Sequence, residues 1–235
     1  MRRALALVSV LALVACSGGG GPRGPGGHGP AFRPSANPGQ VVATELGFAR
    51  TAREKGQWTA FAEYAAKDAV MFQPGPVKAQ DWLKGRANPA KALRWEPHQV
   101  WSSCDGSLAV SRGGWKDADG NVGAFTTVWV RQPDGAYKWV LDVGEKLDKP
   151  LEEPELVQAE VADCQPSPVA DPSVVVTVHD GPRRFASYVW EKNSGDGSLT
   201  AEVILDRDGK GRLSAFLSKK AGWVEIPGVP IDTGA

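Results

Sequence analysis

The chain has 235 residues, 27 basic and 27 acidic side chains, no net charge, and 42% hydrophobic residues. That length suits one domain of ordinary size plus an appendage. The even charge leaves no basic patch of the kind that nucleic-acid binding requires, so no nucleic-acid partner is expected.

Arg2 and Arg3 precede an apolar run from Ala4 to Ala15 that only Ser9 interrupts. A membrane-spanning helix needs roughly 20 apolar residues, so residues 1–15 read as an export signal. Leu13-Val14-Ala15-Cys16 resembles the bacterial lipobox. The resemblance implies cleavage before Cys16 and acylation of its sulfur. With Ser17 next, it implies an outer-membrane lipoprotein facing the periplasm. An ordinary secretory signal that leaves Cys16 free is the other reading. No second apolar run approaches membrane length, so the lipid is the expected membrane tether.

Residues 16–40 are rich in Gly and Pro and read as a flexible tether. From Val41 the pattern becomes helical, with Val42, Leu46, Ala49, Ala52 and Arg53 at helical spacing up to Lys55-Gly56. A second helix is predicted over 58–66 and a strand over 68–72, stopped by Gln73-Pro74-Gly75-Pro76. A third short helix is predicted over 78–85. Four strands follow, at about 95–103, 108–116, 124–132 and 136–145, joined by Asp-Gly turns that suit tight hairpins. Helices followed by a long meander define an α+β class.

Residues 149–155 mark a boundary, and 155–235 read as a small β-rich appendage. Its strands are predicted near 174–179, 185–192, 200–206, 212–218 and 223–226. Cys104 and Cys164 remain once Cys16 is acylated. In an oxidising envelope they either pair in a disulfide or stay as separate thiols.

Residues 45–144 carry an ordered set of pieces. They are Phe48-Ala49, then Tyr64-Ala65-Ala66-Lys67-Asp68-Ala69-Val70, Pro74-Gly75-Pro76, Asp105 to Val110, Gly113-Gly114-Trp115, Thr127-Val128-Trp129, and Gly135 to Val143. Together they resemble the nuclear-transport-factor-two-like (ketosteroid-isomerase-like) superfamily, in its SnoaL-like branch. The resemblance implies a cone-shaped, strongly curved antiparallel sheet packed on helices over residues 41–148. One open end would lead to an apolar cavity, and the outer face of the sheet would be available for a homodimer. In the family's isomerases the base directly precedes a Pro after the Asp-Ala strand. Here that position is Gln73, whose amide cannot take a proton from carbon.

Seven of the nine Trp lie between Trp58 and Trp139. They either line a ligand cavity or fill a curved sheet. The cavity candidates are Tyr64, Trp82, Trp95, Arg112, Trp115 and Trp129. Arg112 and Asp142 are polar residues in apolar strands, so facing inward they would pair or anchor a ligand, and facing outward they would be rim or solvated residues. Asp68, His98 and Asp142 are weak acid/base candidates, Asp68 being also a natural turn residue and His98 a strand residue after Pro97. The three scattered His give no metal template, and no cofactor is expected. The sequence therefore points to a lipid-anchored envelope protein whose cone binds a small apolar ligand or mediates dimerisation without catalysis. A small-molecule isomerase or lyase, and a structural envelope protein that recruits a partner through the appendage, are the alternatives.

Overall fold

Asn37 caps the first helix, α1 (Pro38–Lys55), with its side-chain oxygen accepting from the Gln40 N–H at 3.2 Å. Pro38 in the first turn costs no intrahelical hydrogen bond. The helix thus begins inside the stretch read as tether. The computed structural model describes residues 35–164 and 186–234. The stretch read as an export signal, Cys16, most of the stretch read as a tether and the strand predicted near 174–179 lie outside the described residues.

The buried stripe of α1 is Val41, Glu45, Phe48, Ala49 and Ala52, with Glu45 at 0% exposure. The stripe predicted from sequence shares Ala49 and Ala52 but differs in the first turns, where it follows Val42 and Leu46 and not Val41 and Glu45. Leu46 is instead 43% exposed. The second helix, α2 (Gln57–Tyr64), leads straight into β1 (Ala65–Phe72), followed by β2 (Pro76–Lys78) and α3 (Ala79–Leu83).

The meander consists of β3 (Arg94–Ser102), β4 (Leu108–Lys116), β5 (Val122–Arg131) and β6 (Tyr137–Leu147), and β7 (Gln158–Val161) follows it. With β1 and β2 these strands form one seven-stranded sheet in the order β2-β1-β6-β5-β4-β3-β7. The contacts β1–β6 and β3–β7 are parallel and the others antiparallel. Register shifts at Pro97/Gln99 and Val128/Trp129 bend the strands, as extra residues in a ladder do. The result is a curved, mainly antiparallel sheet packed on helices, the α+β architecture predicted.

Alternation decides which side chains see the helices. Ser111, Thr127 and Asp142 stand opposite one another across β4, β5 and β6 and share the helix-facing side. Arg112, Thr126 and Val143 share the other side. Phe48 from α1 is packed between Phe61, Tyr64 and Trp95, with ring centroids 4.9, 5.1 and 4.9 Å away.

A second sheet of four strands has the order β11-β10-β9-β8, from β8 (Tyr188–Asn193), β9 (Leu199–Leu205), β10 (Lys210–Lys219) and β11 (Gly222–Asp232). Its inner residues Leu199, Val203, Leu213 and Leu217 join one apolar cluster with the outer row Val110, Val128 and Leu141 of the first sheet. Tyr188 meets Phe72 edge-on at 6.3 Å. The apolar row on the outer face of the curved sheet is therefore covered by the chain itself.

Two matching pentapeptides join the sheets, Ser103-Cys104-Asp105-Gly106-Ser107 and Ser194-Gly195-Asp196-Gly197-Ser198. In each, one Asp oxygen accepts from both flanking Ser hydroxyls, and Gly supplies the positive φ (67° and 69°) that the turn requires. The turns then bond to each other. The Asp105 N–H donates to Asp196, the Gly195 N–H to the Ser107 hydroxyl, and the Cys104 N–H to the Ser198 hydroxyl, at 2.8–2.9 Å. Beside them a disulfide links Cys104 to Cys164, 60 residues on.

A closed loop of that length stabilises by about 4 kcal/mol in the chain-entropy account. Reduction, or the double substitution Cys104→Ser/Cys164→Ser, is expected to lower unfolding free energy by about 3–4 kcal/mol. Denaturant titration with and without reductant measures it.

Candidate functional site

Glu45 reaches from α1 into the sheet and is held at both oxygens. The Trp95 indole N–H donates to Oε1 at 2.9 Å and the Ser111 hydroxyl to Oε2 at 2.6 Å. The Ser111 oxygen in turn accepts from the Trp129 indole N–H at 2.9 Å. Three strands thus converge on one helical carboxylate. Burial pushes the Glu45 carboxyl up to about 7 from its ordinary 4.5; the Ser111, Trp95 and Trp129 hydrogen bonds oppose the rise, and the charge of Asp142 adds to it.

Asp142 is the second acid. Its Oδ2 accepts from the Thr127 hydroxyl at 2.7 Å. Burial pushes its carboxyl up to about 6, against that hydrogen bond. Unlike Glu45, Asp142 reaches open space, where it lines a cavity of about 580 Å³. The lining of that cavity from β6 runs from Asp142 to Lys146. The next residue of β6 on this face, Trp139, is fully buried, as are Thr127 and Trp129 beside it. Asp142 therefore marks the cavity's inner end, and the exposed Lys146 marks its mouth. Phe48, Trp58, Phe61, Trp95, Trp115 and Phe125 form most of the wall, and Gln73 and Pro74 stand on the rim. Pro230, Ile231 and Asp232 of β11 also line it, so the second sheet helps to shape the mouth. Trp115 lies over Gly123, where a Cβ would fall 2.3 Å from the indole, and donates its N–H to the Ala124 carbonyl at 3.0 Å.

The residues singled out from sequence scatter around this site. Trp95, Trp115 and Asp142 line the cavity. Trp129 lies beneath it, fully buried and engaged with Ser111. Tyr64 stacks on Phe48, and Trp82 packs edge-on against Trp58 with the Arg86 guanidinium over its ring. Arg112 and Asp142 do not meet, because consecutive rows of a sheet face opposite ways. Arg112 lies on the outer side, where it pairs with Glu145 at 2.8 Å and donates to Thr126. His98 stands on that side too, against Gly114, with its Nδ1 buried and unbonded. Asp68 is exposed. Among the described residues, no group of three His, Cys, Asp or Glu is placed to hold a metal ion.

Sequence reasoning missed Glu45, and with it the acid pair. The signal was present: Glu45 sits four residues after Val41 and four before Ala49, inside the apolar stripe. Phasing the helix on Leu46 turns Glu45 away from the stripe.

No family model and no curated protein matches the chain. Several solved structures are similar to part of it. One is a protein of Parabacteroides distasonis provisionally named a ketosteroid isomerase, 16% identical over 49% of this chain and 97% of that one, with a TM-score of 0.39. Another is a nuclear transport factor 2-like superfamily protein of Salmonella enterica serovar Typhimurium, 14% identical over 47% and 91%, with a TM-score of 0.37. A third is such a protein of unknown function from Mesorhizobium loti, 19% identical over 48% and 96%, with a TM-score of 0.31.

Both acids have higher values in the folded chain than their ordinary 4.5 and 3.8, so the folded state binds more protons. The stability they contribute is present below about pH 4 and is lost as pH rises to about 7. Each group contributes at most about 1.4 kcal/mol per pH unit in that range. Urea titrations between pH 4.5 and 8 should show the decline. Glu45→Gln and Asp142→Asn should each flatten it and stabilise the chain at pH 8.

Proposed function

We propose that this chain is a lipid-anchored protein of the bacterial envelope, tethered through Cys16 and facing the periplasm, whose curved sheet holds a small, largely apolar molecule. One observation carries the binding role: an aromatic-walled cavity of about 580 Å³ with the carboxylate of Asp142 at its inner end. Apolar walls with a few polar anchors are the usual form of a small-molecule site, and this volume lies in the usual range. The rings supply most of the binding free energy, while Asp142 orients one polar group of the ligand. The export signal and lipobox resemblance carry the address.

Acid–base chemistry on the bound molecule is the second reading, favoured by the Glu45–Asp142 pair. A cavity-facing acid with a value near 6 is suited to accept or release a proton near neutral pH. The Thr127 hydroxyl fixes one of its oxygens, which leaves the other for a ligand. Exchange of a bound ligand's acidic C–H in deuterated water, followed by NMR, separates the readings. A catalytic cavity accelerates exchange and loses that effect in Asp142→Asn, whereas a holding cavity does neither.

A homodimer through the sheet's outer face is not part of the proposal, because β8–β11 occupy that face. Sedimentation of the full chain in detergent is expected to give a single-chain mass. For the cavity, titration with the neutral aromatic alcohol 2-naphthol should quench Trp fluorescence saturably. Gly144 lines the cavity, with no heavy atom closer than 3.8 Å to an added Cβ. Gly144→Leu should therefore weaken 2-naphthol at least about tenfold while leaving the melting temperature within a few degrees. Quenching without saturation would overturn the binding role.

A further inference from the structure

We infer that the molecule held in this cavity is a small organic cation, with its ammonium head against Asp142 and its apolar part among the rings. This rests on the binding role proposed above and names its ligand class.

The argument begins with uncompensated charge. Asp142 at the inner end and Glu45 behind it are two carboxylates within reach of each other's field. Buried carboxylates are normally matched by a cation. Here Lys146 is the one cation among the described residues that line the cavity. α1 contributes Glu45, β5 the neutral Thr127, and β1 the neutral Met71 across the parallel ladder. On β6 itself, Glu145 is bound to Arg112 on the outer side. Lys146 lies four residues along the strand, about 13 Å away at the rise of an extended chain, and is exposed at the mouth. β11 adds another carboxylate, Asp232, to the lining. Lys138 points elsewhere, donating to the Glu63 carbonyl. The missing positive charge is supplied by a proton or by the ligand.

The walls favour the ligand. Aromatic faces attract cations through their quadrupole, and the effect grows when the cation is desolvated. Trp58, Trp95, Trp115 and Phe125 bring four such rings to one cavity. An anion there would face Asp142 and Glu45 at close range. A neutral molecule would bury the same apolar area but leave the carboxylate desolvated and uncompensated. The raised values of the two acids agree with a cavity that lacks its counter-charge, and they imply proton release when a cation enters near pH 6.

The test compares two isosteres on the full chain: benzyltrimethylammonium and its uncharged carbon analogue, neopentylbenzene. Binding is followed by Trp fluorescence and calorimetry. At pH 8 the cation is expected to bind at least tenfold more tightly, and the preference should collapse at pH 5. It should also disappear in Asp142→Asn, which keeps the side chain's shape, while neopentylbenzene affinity stays the same. Equal or tighter binding of neopentylbenzene at pH 8 overturns the cation and leaves the binding role standing. A preference that survives in Asp142→Asn also overturns it. Binding of neither probe overturns both.

Discussion

The position of α1 against the sheet depends on Glu45. A carboxylate in the apolar stripe of a helix has to find donors, and it finds them on two neighbouring strands, Trp95 on β3 and Ser111 on β4. The Trp129 indole completes the set by donating to Ser111. Net hydrogen-bond contributions of about 1 kcal/mol each do not offset the burial of a charge of this kind, so the group shifts toward its protonated form. The network fixes the helix in rotation and depth, since a slip by one residue would place Leu46 among the donors and Glu45 against solvent. The cavity beyond it inherits that placement through Phe48 and Trp95, which stand one turn and one hydrogen bond away.

The same arrangement sets the chemistry available. Asp142 meets the cavity only because alternation along β6 puts it in the row of Ser111 and Thr127. Arg112, one residue on from Ser111, is thereby sent to the far side. A strand register one residue different would have put a guanidinium in the cavity and a carboxylate outside. The sign of the charge at the cavity's inner end follows from that single parity.

Much of the architecture was readable from the residues. The Asp-Gly turns located the hairpins, and β4 runs over the very residues predicted for it, because apolar alternation and turn chemistry agree there. The strand β7 was not predicted; its Gln158-Ala159-Glu160-Val161 carries little apolar signal and is held by parallel pairing to β3. Of the site, Trp95, Trp115 and Asp142 were legible as inward candidates, but strand parity alone does not reveal which face is concave. Arg112 suffered from that ambiguity. Glu45 was hidden by the opposite habit, since an acidic side chain on a helix is assumed to face water. The pairing of the two Ser-x-Asp-Gly-Ser turns was visible only as two separate hairpin signals; that they bond to each other is a tertiary fact.

The covering of the outer face by β8–β11 has a consequence for behaviour at low abundance. A shield furnished by a second molecule would fall away on dilution, because its occupancy follows mass action. Here the shield is joined covalently to what it protects, and the Cys104–Cys164 bond shortens the connection further. Its local concentration is fixed by the chain's own length, whatever the number of copies present. The apolar row behind it stays dry even for a solitary molecule.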